Sequence, residues 1–213
     1  MKKFLVPALF AVASLGTVSA NYFPRPLAVA ASAKAAVYKL QPQLSTLGWE
    51  GAAVTHGHVG TIQFSSGELT AQGSNLTGGT VTVDMGTIKA TDIKDADTHA
   101  KFISHMATDD FFMVEKYPTA TFKITSVTPI KGAKADANNA TLTGDMTIKG
   151  VTNRISFPAK VGVKNGMASA SGEVVIDRTK YGLKYGSKSF FTSIGDKAIN
   201  DEFTLKFNVI AKQ

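Results

Sequence analysis

The chain has 213 residues, a formal charge of +7, 44% hydrophobic and 9% aromatic residues, 19 glycines and no cysteine. This balance suits one or two ordinary globular domains and excludes a disordered or fibrous chain. Without cysteine there are no disulfides, thiolate metal sites, thiol nucleophiles or cysteine-linked lipids, so stability has to come from an apolar core.

Lys2 and Lys3, the apolar run from Phe4 to Val18 and the small-residue exit Val18-Ser19-Ala20 form the three parts of a secretory signal, predicting a signal peptide over residues 1–20. A periplasmic or secreted location follows. Export argues against nucleic acid as a partner, while the positive surplus suits transient contact with a membrane surface or a membrane redox partner. No later apolar stretch is long enough to span a bilayer as a helix. Residues 21–36 carry Pro24, Pro26 and an alanine-rich stretch without periodicity, and read as an N-terminal extension.

From residue 37 to 213, short period-two segments alternate with turn residues. About eight such segments lie between Tyr38 and Ala211, predicting an all-β, eight-stranded antiparallel barrel wide enough for one ligand. Turns are expected at Gly78-Gly79, Ala137-Asn138-Asn139 and Lys164-Asn165-Gly166. Phe122 and Ile124 share one parity, and Ile155, Phe157, Ala159, Val161 and Val163 another. A closing strand carries Phe203, Leu205, Phe207 and Val209 on one face. The rhythm breaks between Asp95 and Ala107, where Ala96, Ala100, Ile103 and Ala107 fall at helical spacing and Phe102 and Met106 widen the apolar face. One short helical connection is expected there, docked at one end of the barrel.

Signatures of dinucleotide loops, nucleophile elbows, Walker A loops and zinc helices are absent, which favours binding over catalysis and implies no cofactor. His56 and His58 in an extended segment point to one face, but a metal site needs a third ligand that the sequence does not show, so no metal is assigned. His99 and His105 read as surface partners of Asp95 and Lys101. Between Asp177 and Phe191 the basic residues Arg178, Lys180, Lys184 and Lys188 alternate with Tyr181, Leu183 and Tyr185, as in a strand basic outside and aromatic inside. The apolar parity of Val174 and Ile176 flips near Asp177, implying a bulge or break.

Five strings in order resemble the YceI-like polyisoprenoid-binding family. They are Thr55-His56-Gly57-His58-Val59-Gly60-Thr61; Val83-Asp84-Met85; Asp110-Phe111-Phe112 with Lys116-Tyr117-Pro118-Thr119-Ala120-Thr121-Phe122; residues 143–152; and Ile176-Asp177-Arg178-Thr179. Where many relatives carry an acid and a tryptophan, this chain has Met113 and Tyr181. The resemblance implies a lipocalin-like periplasmic barrel holding an isoprenoid or other long-chain amphiphilic lipid, such as a quinone or a polyprenyl phosphate. The expected cavity or mouth residues are Trp49, Val83, Phe111, Phe112, Phe122, Met146, Phe157, Tyr185, Phe191 and Phe207. Polar headgroup candidates are His56, Asp84, Arg178 and Lys188. Two other readings are an interaction module whose barrel is filled by side chains, presenting the basic Arg178 to Lys188 face, and a secreted hydrolase or isomerase with His56 or His58 as base.

Overall fold

The computed structural model describes residues 34–191 and 193–213. The predicted signal peptide and nearly all of the predicted extension lie outside the described residues. Nine strand segments follow in order: β1 (Ala36–Leu40), β2 (Thr46–Ala53), β3 (Gly57–Gln72), β4 (Asn75–Ala90), β5 (Thr119–Pro129), β6 (Ala140–Ile148), β7 (Val151–Lys164), β8 (Met167–Asp177) and β9 (Ile199–Lys212), with helix α1 (Ala96–Ala107) between β4 and β5. They form eight staves, because β1 and β2 both lie between β3 and β9 as two parts of one broken stave. All pairings are antiparallel. Each stave from β3 to β9 pairs with its chain neighbour, and β2–β9 contacts close the circle.

The break in the first stave has a local cause. Pro42 opens a 3₁₀ turn, Pro42–Leu44, that cannot continue the ladder. The Ser45 hydroxyl repairs the gap by accepting from the Ile210 amide at 3.0 Å and donating to the Gln41 carbonyl at 2.8 Å. The expected alternation becomes the inner face: Ala120, Phe122 and Ile124 of β5, Phe157 and Ala159 of β7, and Val209 and Ala211 of β9 are buried.

The Asn165-Gly166 turn forms as expected, with both residues at positive φ, 52° and 71°. Gly78-Gly79, expected as a turn, lies inside β4, and the β3–β4 reversal falls at Gly73-Ser74 instead. Gly79 is needed there because a Cβ would collide with the Glu68 carbonyl of the paired strand β3, so the glycine marks a close approach.

At one end of the barrel Ala71, Ala159, Ala168 and Ala211 are fully buried beneath Tyr38, Leu40 and Leu76, forming a packed floor. The other end receives the long connections 91–118 and 178–198. α1 starts at its Asp95 cap, whose carboxylate accepts from the Thr98 amide at 2.8 Å. It docks at that end as its apolar stripe requires.

Candidate functional site

Between the floor and α1 the barrel encloses a cavity of about 410 Å³, lined almost entirely by apolar side chains from all eight staves. That size falls within the roughly 300–1,000 Å³ of small-molecule sites. Its middle is a run of rings: Phe122 and Phe157 lie 5.3 Å apart, and Phe157 meets Phe207 edge-on at 5.7 Å. Leu47, Leu205 and Val209 complete the wall. A barrel of this girth filled by side chains alone would leave no such space.

The mouth is assembled from both long connections. Trp49 lies across Gly60, where any side chain would strike the indole, and its Nε1 donates to the Lys89 carbonyl at 3.2 Å. Phe102 of α1 stacks on Trp49 at 6.2 Å and packs on His58 at 4.8 Å. His58 Nδ1 donates to Asp92 at 2.7 Å. Burial pushes the Asp92 carboxyl up, but hydrogen bonds from His58 and from the Asp92 and Val59 amides outweigh it, holding the group below the usual carboxylate range. On the facing side His105 Nε2 donates to Asp110 at 2.9 Å, and its ring meets Phe111 and Tyr185 edge-on at 5.1 and 4.9 Å.

Of the expected cavity residues, Trp49, Val83, Phe111, Phe112, Phe122, Met146, Phe157, Tyr185 and Phe207 line this space, as do His56 and Arg178. Phe191 does not: it is 51% exposed in the irregular 182–198 connection, where no strand carries parity inward. Asp84 also lies outside the lining. Its carboxylate accepts from the Gly86 amide at 2.9 Å, stabilising a local irregularity of β4. Lys188 borders a shallow external groove beside Asp201 and Glu202 rather than the cavity.

Arg178 reaches the lining but is already occupied. Its guanidinium donates to the carbonyls of Leu183, Tyr185 and Asn200 at 2.8 Å and of Ile199 at 3.0 Å, with Asp201 at 3.6 Å. Burial lowers its pKa while Asp201 and Asp177 oppose that shift. It ties β9 to the connection that follows β8. The strand expected over 177–191 is absent: β8 ends at Asp177, where the parity flips, and a 3₁₀ turn, Arg178–Tyr181, follows under an Asp177 cap.

Sequence reasoning missed His105 as a mouth residue, and the sign was present. It stands three residues after Phe102 and beside Met106, on the same helical stripe. The metal reading of His56 and His58 gains no third ligand: among the described residues no cluster of three or more His, Cys, Asp or Glu side chains is placed to hold an ion. Thr121 and Tyr185 are the hydroxyl-bearing residues of the lining, and neither is hydrogen-bonded to a histidine among the described residues.

Comparison with known proteins agrees with this geometry. The model of the YceI-like domain matches residues 38–211. Over 102 residues the chain is 33% identical to protein YceI of Escherichia coli O17:K52:H18, a match covering 48% of this chain and 44% of that protein, so it spans less than half the relative's length. Among solved structures, Burkholderia cenocepacia BcnA superposes with a TM-score of 0.62 at 20% identity, covering 81% of this chain and 99% of that one. A polyisoprenoid binding domain from Saccharophagus degradans, implicated in plant cell wall breakdown, does so at 0.56 and 15% identity, covering 82% and 97%. Both likenesses are of fold.

Proposed function

This chain belongs to the YceI-like family, and we propose that it is an exported binding protein that holds one long-chain lipid, an isoprenoid foremost, in the barrel for transport or storage. The carrying observation is the apolar cavity that lies between a packed floor and an aromatic mouth. Each CH₂ taken from water into such a space contributes about 0.8 kcal/mol. A few isoprene units therefore suffice for micromolar affinity after the loss of translational and chain freedom. The reading requires no catalytic residue, and the polyisoprenoid binding described for the Saccharophagus domain supports it by analogy of fold.

The mouth favours an uncharged headgroup such as a quinone over a polyprenyl phosphate. No lysine lines the cavity, Glu202 does, and the one arginine is committed to four backbone carbonyls. Within the lining a phosphate would meet the Glu202 carboxylate with no lysine or uncommitted arginine beside it. Native mass spectrometry of protein taken from its own exported compartment, followed by organic extraction, tests the reading: a stoichiometric neutral prenyl lipid is expected. Trp49, the single tryptophan, sits in the lining and reports binding directly by its fluorescence. Empty preparations that also fail to bind added quinones and polyprenyl phosphates would overturn the proposal.

A further inference from the structure

Among the described residues the exposed aromatic side chains are Tyr185, Phe190 and Phe191, at 43%, 46% and 51% exposure. All three belong to the single connection 178–198. Tyr185 is shared with the mouth, where its ring packs on His105 and at 5.4 Å on Phe111, so the patch is continuous with the cavity entrance. Exposed apolar area beside a lipid cavity mouth is unfavourable in water unless something covers it.

The charge of the same segment identifies the cover. Lys180, Lys184, Lys188 and Lys197 are exposed on it, and Asp196 is its one acidic residue. Lys184 Nζ stands 4.7 Å above the Phe190 ring, a cation carried directly over an aromatic face, as suits a boundary between hydrocarbon and headgroups. The connection on the other side of the mouth, Asp92 to Glu115, is instead rich in carboxylates. The two rims of one mouth thus have opposite affinities for a negative surface. The basic rim is also held in shape, because Arg178 fastens its Leu183 and Tyr185 carbonyls.

We propose that this rim seats the open end of the barrel on an anionic phospholipid bilayer, Tyr185, Phe190 and Phe191 entering the interface while Lys184 and Lys188 meet the headgroups. The inference rests on the lipid-binding reading and adds to it a route: cargo passes between bilayer and cavity without crossing water.

The test is vesicle flotation of the full mature chain with phosphatidylcholine alone and with phosphatidylcholine containing phosphatidylglycerol, at low and at molar salt. The chain is expected to float with the anionic vesicles only and to be released by salt. A lysine at such a surface contributes about fivefold in affinity, so K184E/K188E should weaken binding by at least about twentyfold. Phe190→Ser should weaken it without altering salt dependence. Quenching of Trp49 by a soluble short-tailed quinone, measured on every form, reads the cavity separately and should not change in these variants. Wild-type protein that does not float, floats equally with neutral vesicles, or binds undiminished after K184E/K188E would overturn docking while intact quenching leaves the cavity reading standing. A dimer in solution abolished by Phe190→Ser would overturn it too, making a second copy the cover. Failure of quenching in the wild type would strike the cavity reading, which flotation does not measure.

Discussion

Replacing Arg178 by alanine separates two roles that the sequence left open, headgroup ligand and internal strut. The side chain is 5% exposed and makes four hydrogen bonds of 2.8–3.0 Å to backbone carbonyls. Hydrogen bonds to a charged group contribute about 1.5–3 kcal/mol each, so the gross loss is roughly 6–12 kcal/mol. Part returns, because the released Leu183 and Tyr185 carbonyls lie in a surface connection and those of Ile199 and Asn200 at the very start of β9, and Asp201 keeps Ser189 as a partner. A net loss of about 3–5 kcal/mol is expected, in line with the removal of one member of a buried charged network. For a chain of this size that lowers the melting temperature by roughly 10 °C. Urea unfolding followed through Trp49 measures it. Arg178→Lys should recover little, since an ammonium cannot reproduce the planar fork that spans four acceptors. A loss below about 1 kcal/mol, or unchanged stability with lost lipid affinity, would refute the strut and restore the headgroup role.

Tyr181 is buried, its hydroxyl has no hydrogen-bond partner among the described residues, and burial pushes its pKa up to about 12. Tyr181→Phe should therefore keep or raise stability, by up to about 1 kcal/mol, in the same urea assay. Val83 lines the cavity without being fully buried, so Val83→Phe should fold normally yet reduce quinone quenching of Trp49 several-fold by filling the space. At Asp177 burial raises the carboxyl, but the Thr179 side-chain and amide hydrogen bonds and Lys180 outweigh it, leaving the folded value depressed. Its stabilisation is present above the unfolded value, about pH 4, and is lost as pH falls through the lower folded value. Asp177→Asn should flatten the acid limb of a stability-versus-pH curve by lowering stability at neutral pH while changing it little below the folded value, as read from urea midpoints.

Much of the barrel was legible because a strand with one buried face writes its period into the sequence. Ile155 to Val163 and Phe203 to Val209 show this most clearly, and nine of the ten expected apolar site residues line the cavity. The helix was legible for the same reason, with Asp95 as its cap. Gly78-Gly79 misled because glycine serves both turns and close strand approaches, and only the Glu68 carbonyl opposite decides between them. Phe191 and Lys188 lie off the cavity lining because parity has no meaning once the backbone leaves a strand. Asp84 and Arg178 misled more generally: a polar residue in a lipid-binding fold invites a headgroup, yet nearby amides and carbonyls claim it first. The place of His105 at the mouth, by contrast, follows from helical spacing once the α1 stripe is drawn through Phe102 and Met106, while its Asp110 partner lies past the helix end and carries no such signal.

A barrel hydrogen-bonded all the way round has no seam to part, so whatever occupies its cavity enters and leaves past α1. None of the side chains of α1 is fully buried, and the helix is held by aromatic faces at Trp49, Phe111 and Tyr185 and by the His58 and His105 contacts. Its local detachment costs far less than unfolding the staves. For any occupant of the cavity, the walls therefore set how tightly it is held, and the helix sets how long. Weakening α1 alone, as with Asp95→Ala, should speed amide hydrogen exchange in the helix and ligand release together while shifting equilibrium binding little. Dwell time becomes a property that evolution can adjust without repacking the cavity.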